Sequence, residues 1–338
     1  MRARNSLPSP PLEGWLISSQ SETVSEPIIH FLLQFQSSHT RRSYQSDLQS
    51  FFDFWLTQGI DLSTNLPNVG EKHVALWLET FKHGATRARR LASLGSFFKF
   101  CEERNWTSHN PCLLMKRPRV TNRKSAVALN EAEVEKLLHH LHERAFLAQF
   151  TGTHALRQKA TALLQFTVIH TLFTVGMRVD ELCELRMCDV TCDSSPAKIK
   201  FVTKGGEEHC TIVSEGCAEV LKFYINNRRR NCHPDDFLFI RVQTSEKSVK
   251  LSQTSVFNMI RSAALQAGIN KMLSPHSARA TVATVLHRNG VPLGFIQSLL
   301  NHKQITTTAN YVKKANERNE SAALKAPVTD WLNTKESQ

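Results

Sequence analysis

The amino-acid sequence predicts a mainly α-helical protein, with an all-α N-terminal domain and a mostly α C-terminal domain that contains a small antiparallel β-sheet. Apolar residues recur at helical spacing along most of the chain, and a single segment shows the alternation typical of strands. A length of 338 residues is long for one hydrophobic core, which favours two domains over one.

The clearest helical pattern of the N-terminal part lies between residues 37 and 59. Thr40 is the predicted N-cap of this helix, and Gly59 marks its predicted end. Apolar residues that share one face of the helix are Tyr44, Leu48, Phe51, Phe52 and Trp55. A periodic apolar face of this kind predicts packing against other helices.

Another helix is predicted in ATRARRLASLGSFFKFCEERN, residues 85–105. Its apolar stripe consists of Leu91, Leu94, Phe98 and Cys101. Basic residues of the N-terminal part that are candidates for DNA binding are Arg41, Arg42, Arg87, Arg89, Arg90 and Lys99. A solvated charged face is the common explanation of such residues, and a DNA-facing surface is the alternative.

Helical periodicity lapses after residue 112, and basic residues accumulate around Pro118. This pattern predicts an extended basic linker over residues 113–128. Its candidate DNA-binding residues are Lys116, Arg117, Arg119, Arg123 and Lys124. A basic linker between two basic domains suits a protein that closes around a duplex, because each phosphate contact adds affinity that is independent of sequence.

The sequence therefore divides into five predicted parts. Residues 1–26 are rich in Ser, Pro and Glu and are predicted to be a disordered tail. The parts that follow are a helical domain over 27–112, the linker over 113–128, a second domain over 129–325 and a C-terminal tail over 326–338.

The second domain combines long helices with one predicted β-hairpin. Helical patterns cover residues 130–146 and 155–174 and resume at residue 217. The hairpin lies in AKIKFVTKGGEEHCTIVS, where a Gly-Gly turn separates two alternating runs. The alternating residues are Ile199, Phe201 and Thr203 before the turn, and Cys210 and Ile212 after it.

The charge balance favours a polyanionic partner. Lys and Arg number 42 and Asp and Glu number 30, which gives a formal net charge of +12. A positive field of this size attracts nucleic acid. No apolar run is long enough to cross a bilayer, and the N-terminus has no apolar signal core. The expected location is therefore the cytoplasm of a prokaryote, in association with its DNA or with that of a phage or mobile element, and no membrane partner is expected.

The eight cysteines indicate buried reduced thiols and no metal site. The sequence contains no C-x-x-C pair. Cys183, Cys188 and Cys192 form the tightest grouping, and no second pair follows them at zinc-binding spacing.

Six polar residues interrupt the helical patterns of the second domain, and together they suit phosphate chemistry. They are Arg178, Lys204, His276, Arg279, His302 and Tyr311. Taken singly, each has an ordinary structural explanation. As a set they offer donors for phosphate oxygens, imidazoles that exchange protons near neutral pH, and a hydroxyl able to attack phosphorus.

In this order the six residues resemble the signature of the tyrosine recombinase (phage integrase) family. His302 follows Arg279 by 23 residues (302 − 279), and Tyr311 follows His302 by nine (311 − 302), as in the last motif of the family. GMRVDELCEL is similar to the first arginine box, and LLNHKQITTTANYV is similar to the nucleophile box. HTRRSYQSDLQSFFDFW resembles the helical core-binding domain of Xer-like and Cre-like members. The resemblance runs from about residue 27 to about residue 325.

The resemblance implies a site-specific DNA recombinase whose SAM-like core-binding domain and catalytic domain form a C-shaped clamp on DNA. The implied nucleophile is Tyr311, which would leave a 3′-phosphotyrosine link and a free 5′ hydroxyl. The other implied roles are phosphate clamping by Arg178 and Arg279, protonation of the 5′ oxygen by Lys204, acid–base transfer by His276 and a phosphate hydrogen bond from His302. Strand exchange would pass through a Holliday junction in a homotetramer on double-stranded DNA with inverted-repeat target sites, without metal, ATP or another cofactor.

Two positions depart from the family pattern. Asn301 stands where the family usually has glycine, and Asn tolerates a left-handed backbone better than most residues. The hairpin keeps Lys204 and the glycine after it, whereas Glu207 and Glu208 replace later basic residues. The threonines at 306–308 are predicted to cap the helix that carries Tyr311.

Several alternatives remain open from the sequence. A type IB topoisomerase-like enzyme shares the same chemistry, and a DNA-binding relative without catalysis shares the same fold. The segment before residue 27 is too short for an additional arm-site domain, which favours a simple recombinase. Trp331 and Leu332 in the C-terminal tail either dock onto a neighbouring subunit or pack against their own domain.

Overall fold

The computed structural model describes residues 22–63, 65–118, 126–203, 206–242 and 249–316. The chain forms two compact units, residues 1–124 and 125–338, and the boundary falls inside the segment predicted as a linker. Both units are mainly helical, and the described strands form one three-stranded antiparallel sheet. The predicted fold class is therefore confirmed. No helix in the described ranges is both long enough and apolar enough to cross a membrane.

The N-terminal unit contains four described helices and a short 3₁₀ turn at Leu66–Asn68. The helices are α1 (Glu22–Leu33), α2 (Ser38–Thr57), α3 (Glu71–Glu79) and α4 (Gly84–Glu103). Helix α1 begins before the predicted domain start at residue 27, and residues 1–21 of the predicted tail lie outside the described residues.

The ends of α2 follow from local capping chemistry. The side chain of Ser37 accepts a hydrogen bond from the backbone N–H of Thr40, at 3.3 Å, so Ser37 is the N-cap and the prediction of Thr40 is wrong. Gly59 follows the end of α2 with φ +76°, a conformation that glycine adopts without steric cost. The predicted end of this helix is confirmed.

Aromatic rings fill the core of the N-terminal unit. Phe31, Phe51, Phe97 and Trp77 are each at most 2% exposed, and their rings meet edge to face, as between Phe51 and Trp77 at 5.2 Å. The indole N–H of Trp77 donates to the carbonyl of Ser50 on α2, so its polar atom is satisfied in the core. The apolar stripes predicted on α2 and α4 are the buried faces of these helices.

The C-terminal unit surrounds one long buried helix with shorter elements. Its helices are α5 (Glu131–His142), α6 (Ala155–Val175), α7 (Val179–Glu184), α8 (Glu215–Arg228), α9 (Gln253–Gln266), α10 (Pro275–Arg288), α11 (Leu293–Leu299) and α12 (Ile305–Asn316). A single π turn, Glu143–Leu147, continues α5. Helix α6 packs against α5, α8 and α10, which explains why most of its side chains are buried.

The sheet contains β1 (Val190–Thr191), β2 (Lys198–Val202) and β3 (Glu208–Ile212) in that order. Ile199 and Phe201 of β2 are buried, as their alternation predicts. They pair with Thr211 and His209 of β3. Cys210 and Ile212 therefore point away from the core, with Ile212 62% exposed. The alternation located the second strand correctly, but the apolar residues that revealed it lie on its outer face.

The cysteines are all unbonded, and four of the eight are buried. Cys101, Cys112, Cys183 and Cys217 are buried, whereas Cys188 and Cys210 are exposed. The expectation of buried thiols is thus correct for half of them. Burial raises the pKa of the Cys217 thiol to about 12, so this side chain is an uncharged core residue.

Candidate active site

The ends of two helices of the C-terminal unit, α6 and α11, meet at Arg279. This residue lies on α10, is 2% exposed and donates from Nη1 to the carbonyl of Gly176, at 2.8 Å. Its Nη2 donates to the carbonyl of Leu300, at the end of α11. Gly176 ends α6 with φ +68°, and this left-handed cap precedes the start of α7. Arg279 therefore ties the ends of α6 and α11 to α10.

Arg178 is held beside this junction by its own helix. As the N-cap of α7 it donates from its backbone N–H to Glu181 Oε2 and from Nη1 to Glu181 Oε1, both at 2.7 Å. The Glu181 side chain is 2% exposed, whereas that of Arg178 is 30% exposed. Nη2 of Arg178 donates to the carbonyl of Asn301 at 3.1 Å. The predicted position of Arg178, between the end of one helix and the start of the next, is confirmed.

His302 joins Arg279 to the helix that carries Tyr311. The Nε of Arg279 donates to Nε2 of His302 at 3.1 Å, and Nδ1 of His302 lies 2.8 Å from the hydroxyl of Thr308 on α12. The rings of His302 and Tyr311 stack with centroids 5.7 Å apart and planes inclined by 21°. The spacing of nine residues thus places both rings side by side.

Helix α12 is fixed by packing against α10 and α11. Beneath Tyr311 lies a small apolar cluster of Val282, Ala283, Ile296 and Leu300. The helix begins at Ile305, so the threonines at 306–308 are inside its first turn. Their predicted role as the cap is wrong, because the helix starts before them.

Asn301 adopts the left-handed backbone that its sequence position suggested. Its φ is +47°, and the chain turns there from α11 towards His302 and α12. This conformation costs asparagine less free energy than it costs most other residues with a Cβ atom. The left-handed turn before His302 therefore forms with asparagine in place of glycine.

The histidines of the site are shifted towards their neutral forms. Burial, followed by the positive charges of Arg279 and Arg178, lowers the pKa of His302 to about 4. The same causes lower the pKa of His276, which lies at the start of α10 and reaches the surface. Burial also lowers the pKa of Arg279 to about 10, which leaves its guanidinium charged at neutral pH.

His209 is a neighbour of the two arginines that the sequence did not single out. It lies on β3 opposite Phe201, with ring centroids 5.1 Å apart. Its pKa is lowered, first by burial, and the charges of Arg178 and Arg279 act in the same direction against that of Glu181. Only the strand register shows that His209 faces the site, because the alternation of apolar residues singles out Cys210 instead.

Glu181 and Thr308 were also missed. A sequence signal for Glu181 exists, since a carboxylate three residues after a helix N-cap is the pattern of a capping box. Thr308 has no comparable signal, because its hydroxyl meets His302 only once α12 is placed. Lys204, which the sequence predicts at the tip of the hairpin, lies outside the described residues.

The residues proposed to contact DNA from the N-terminal unit have different surroundings. Arg89 pairs with the buried Asp47, and Arg90 approaches the same carboxylate at 3.7 Å. Arg87 donates to the carbonyl of Phe81. The exposed candidates are Arg42, Arg89, Lys99, Lys116 and Arg117. Arg41 is partly exposed, and Arg119, Arg123 and Lys124 lie outside the described residues.

Chemically, the site combines two fixed cations with a hydroxyl. A guanidinium has five N–H donors. Arg279 uses three of them, on Gly176, Leu300 and His302. The remaining donors of Arg279 and Arg178 suit an anion with several oxygens. In the described part of the chain no cluster of three or more His, Cys, Asp or Glu is arranged to hold a metal ion.

Family comparisons agree with this geometry. The chain matches the Phage integrase family over residues 127–318 and the Phage integrase N-terminal SAM-like domain over residues 29–105. Tyrosine recombinase XerD of Pseudomonas putida is 30% identical over 289 residues, which cover 83% of this chain and 89% of that protein. A tyrosine recombinase of Pseudothermotoga lettingae is 28% identical, over 82% of this chain and 87% of that protein.

Solved structures share the fold. The XerH site-specific recombinase bound to palindromic difH substrate superposes with a TM-score of 0.64 at 19% identity, covering 90% of this chain and 89% of that one. A lambda integrase tetramer bound to a Holliday junction gives a TM-score of 0.64 at 15% identity, covering 92% of this chain and 83% of that one. The chain belongs to the phage integrase family of tyrosine recombinases.

Proposed function

We propose that the chain is a site-specific recombinase in which Tyr311 cuts and rejoins DNA. The observation that carries this proposal is the direct contact of Arg279 with His302, whose ring is stacked on Tyr311. This contact supports a site in which the Tyr311 hydroxyl acts together with cations that can hold a phosphate. Similarity to the tyrosine recombinases XerC and XerD supports the same activity.

The reaction begins when the Tyr311 oxygen attacks the scissile phosphorus and loses its proton. The bond between phosphorus and the 5′ oxygen breaks, and that oxygen takes up a proton to become a free hydroxyl. The protein is left joined to the DNA 3′ phosphate. Attack by the 5′ hydroxyl of a partner strand reverses these bond changes, so the phosphodiester is restored without further bond energy.

Arg178 and Arg279 stabilise the negative charge that builds on the non-bridging oxygens. Their orientation is set in advance by Glu181 and by the carbonyls of Gly176 and Asn301, which reduces the reorganisation needed during the reaction. Because Arg279 is 2% exposed, we expect neighbouring side chains to shift when a phosphate enters.

The remaining roles follow the family pattern. We propose His302 as a hydrogen-bond donor to the phosphate, His276 as an acid–base group and Lys204 as the donor of the proton to the 5′ oxygen. The neutral state of His276 in the free protein suits a group that accepts a proton. We further propose that four copies assemble on two short inverted-repeat sites and that the two domains close around the duplex.

A nicked DNA substrate tests the nucleophile. Fragments are taken from the DNA that flanks the gene, where inverted repeats mark candidate target sites, and a nick close to the cut allows the cleaved end to diffuse away. The wild-type protein is expected to form a covalent complex on a denaturing gel. Tyr311→Phe is expected to bind the same DNA and to form none.

The chain offers a matched control for this test, because it has three tyrosines. Tyr44→Phe changes a partly buried ring of the N-terminal unit and is expected to keep the covalent complex. A covalent complex with Tyr311→Phe would show another nucleophile. Efficient relaxation of plasmid that lacks any target site would instead indicate a topoisomerase-like enzyme.

A further inference from the structure

Thr308 is the one described side chain that pairs with Nδ1 of His302. It lies in the first turn of α12, three residues before Tyr311, and is 0% exposed. Its hydroxyl oxygen is 2.8 Å from Nδ1. The other ring nitrogen of His302, Nε2, lies 3.1 Å from Nε of Arg279. Both nitrogens of this buried ring therefore have a defined partner.

These partners fix the position of the proton on His302. The guanidinium of arginine can only donate, so Nε2 must accept the hydrogen bond from Arg279. A neutral imidazole has one N–H, which must then be on Nδ1 and must point to the hydroxyl of Thr308. The lowered pKa of His302 agrees with this neutral form.

This arrangement is the reverse of the one that phosphate binding requires. Phosphate oxygens only accept hydrogen bonds, so His302 can contact a phosphate from Nε2 only when that nitrogen carries the proton. Nδ1 then has a lone pair and needs a donor. A hydroxyl group can serve as either donor or acceptor, and Thr308 can therefore remain paired with Nδ1 in both states.

We propose that Thr308 is a positioning residue that allows His302 to exchange Arg279 for the scissile phosphate. In the free protein its hydroxyl accepts from Nδ1–H. When DNA is bound, it donates to Nδ1 while Nε2–H faces the phosphate. One proton leaves Nδ1 and one binds Nε2, so the charge of the ring is unchanged. This role rests on the proposed contact between His302 and phosphate.

Two substitutions separate the hydroxyl of Thr308 from its shape. Thr308→Val keeps the branched shape and removes the hydroxyl, whereas Thr308→Ser keeps the hydroxyl. Single-turnover cleavage of the nicked substrate is expected to fall about tenfold in Thr308→Val, the effect of one lost hydrogen bond in the transition state. Thr308→Ser is expected to stay within about twofold of the wild type. DNA affinity in gel-shift titrations should be similar for all three proteins.

Direct measurement of the tautomer of His302 tests the role of Thr308 without relying on DNA cleavage. Nitrogen-15 NMR of the imidazoles, with His302→Gln to assign the signal, is expected to show protonated Nδ1 in the free wild-type protein and protonated Nε2 in the complex with DNA. Thr308→Val is expected to keep Nδ1 protonated in the free protein, because Arg279 still donates to Nε2. It is expected to lack a single Nε2-protonated form in the complex with DNA, because valine cannot donate to Nδ1. A merely structural role would change the melting temperature without changing these signals.

Two outcomes would overturn the inference. One is cleavage by Thr308→Val at the rate of Thr308→Ser, and the other is a free wild-type protein with the proton on Nε2. Should the wild-type protein fail to cleave any substrate, the proposed function would fail, and the NMR comparison of the DNA complexes would still decide whether Thr308 supports the Nε2-protonated form of His302.

Discussion

The guanidinium of Arg178 donates to the backbone carbonyl of Asn301, 123 residues further along the chain. The direction of that carbonyl depends on the left-handed backbone of Asn301, whose φ is +47°. Glycine adopts this conformation freely, asparagine at moderate cost and alanine at higher cost. One turn therefore links the backbone preference of a single residue to the placement of Arg178, an arginine that we propose to bind phosphate.

Asn301→Ala is expected to lower the free energy of unfolding by about 1 kcal/mol and to slow cleavage, since the strained turn moves the carbonyl that holds Arg178. Asn301→Gly is expected to keep both properties. Urea unfolding and single-turnover cleavage are the measurements. Asn105 provides a control in the N-terminal unit, because its φ is +59°. Asn105→Ala should cost a similar free energy without slowing cleavage, and equal cleavage by both alanine variants would contradict the link.

Gly176→Ala is expected to impair the protein more than its left-handed backbone alone explains. An added Cβ would lie 2.6 Å from Cδ2 of Leu300 and 3.3 Å from the side chain of Val282. Overpacking of this kind costs about 1–3 kcal/mol beyond the cost of the backbone. We also expect slower cleavage, because the Gly176 carbonyl accepts from Arg279.

Gly290→Ala is the matched control for Gly176→Ala. Gly290 has φ +79°, and a Cβ there would meet no atom within 4 Å among the described residues. Its alanine variant should lose about 1 kcal/mol, the cost of the backbone alone, and should keep its cleavage rate. Calorimetric melting compares the two, and equal melting temperatures would argue against the close packing of Gly176.

Residue spacing predicts where the helices lie, whereas the contacts between their side chains depend on how the helices pack. Helical periodicity located α2, α4 and α6, because their buried faces repeat with the period of the helix. The motif order also singled out Arg178, Arg279, His302 and Tyr311, which lie in one region of the folded C-terminal unit. That these four side chains meet follows from the packing of α10 against α6 and α12.

Other features were beyond the sequence for a physical reason. Alternation identifies a strand but does not say which face is inward, since that depends on pairing. In β3 the inward residues are Thr211, which is buried, and His209, which is half-buried. The sequence predicts Thr308 as part of a helix cap, because threonines favour helix starts. The contact of Thr308 with His302 joins residues on two elements and requires the placement of α12.

Acid is expected to destabilise the protein through His302. The pKa of this side chain is lowered from 6.5 to about 4 by burial and by the charges of Arg279 and Arg178. Between these pH values the unfolded chain binds the proton more tightly than the folded one. The neutral His302 therefore makes its full contribution to the free energy of unfolding above pH 6.5. As the pH falls towards 4, that free energy decreases by about 3 kcal/mol. Urea unfolding at pH 7 and pH 5 measures the first part of this loss, about 2 kcal/mol.

His302→Gln is the control for this pH dependence, because glutamine does not titrate in the range. Its stability should fall less steeply with acid than that of the wild type. Some dependence should remain, since burial also lowers the pKa of His276 and of His170. Identical slopes for the two proteins would show that His302 is not the buried neutral group described.

The basic residues of the N-terminal unit include one paired with a buried carboxylate, Arg89 with Asp47, and an exposed one that is proposed to contact DNA, Lys99. The carboxylate of Asp47 is 1% exposed and accepts from Arg89 and from Ser93, so Asp47→Ala should destabilise the unit by about 3 kcal/mol. Lys99, whose side chain is 71% exposed, pairs with Glu103 at 3.8 Å. Lys99→Ala should leave the melting temperature unchanged and should lower the salt dependence of DNA binding by about one counterion. Calorimetry and gel shifts at several salt concentrations distinguish the two, and a fully stable Asp47→Ala variant would refute the structural role of Arg89.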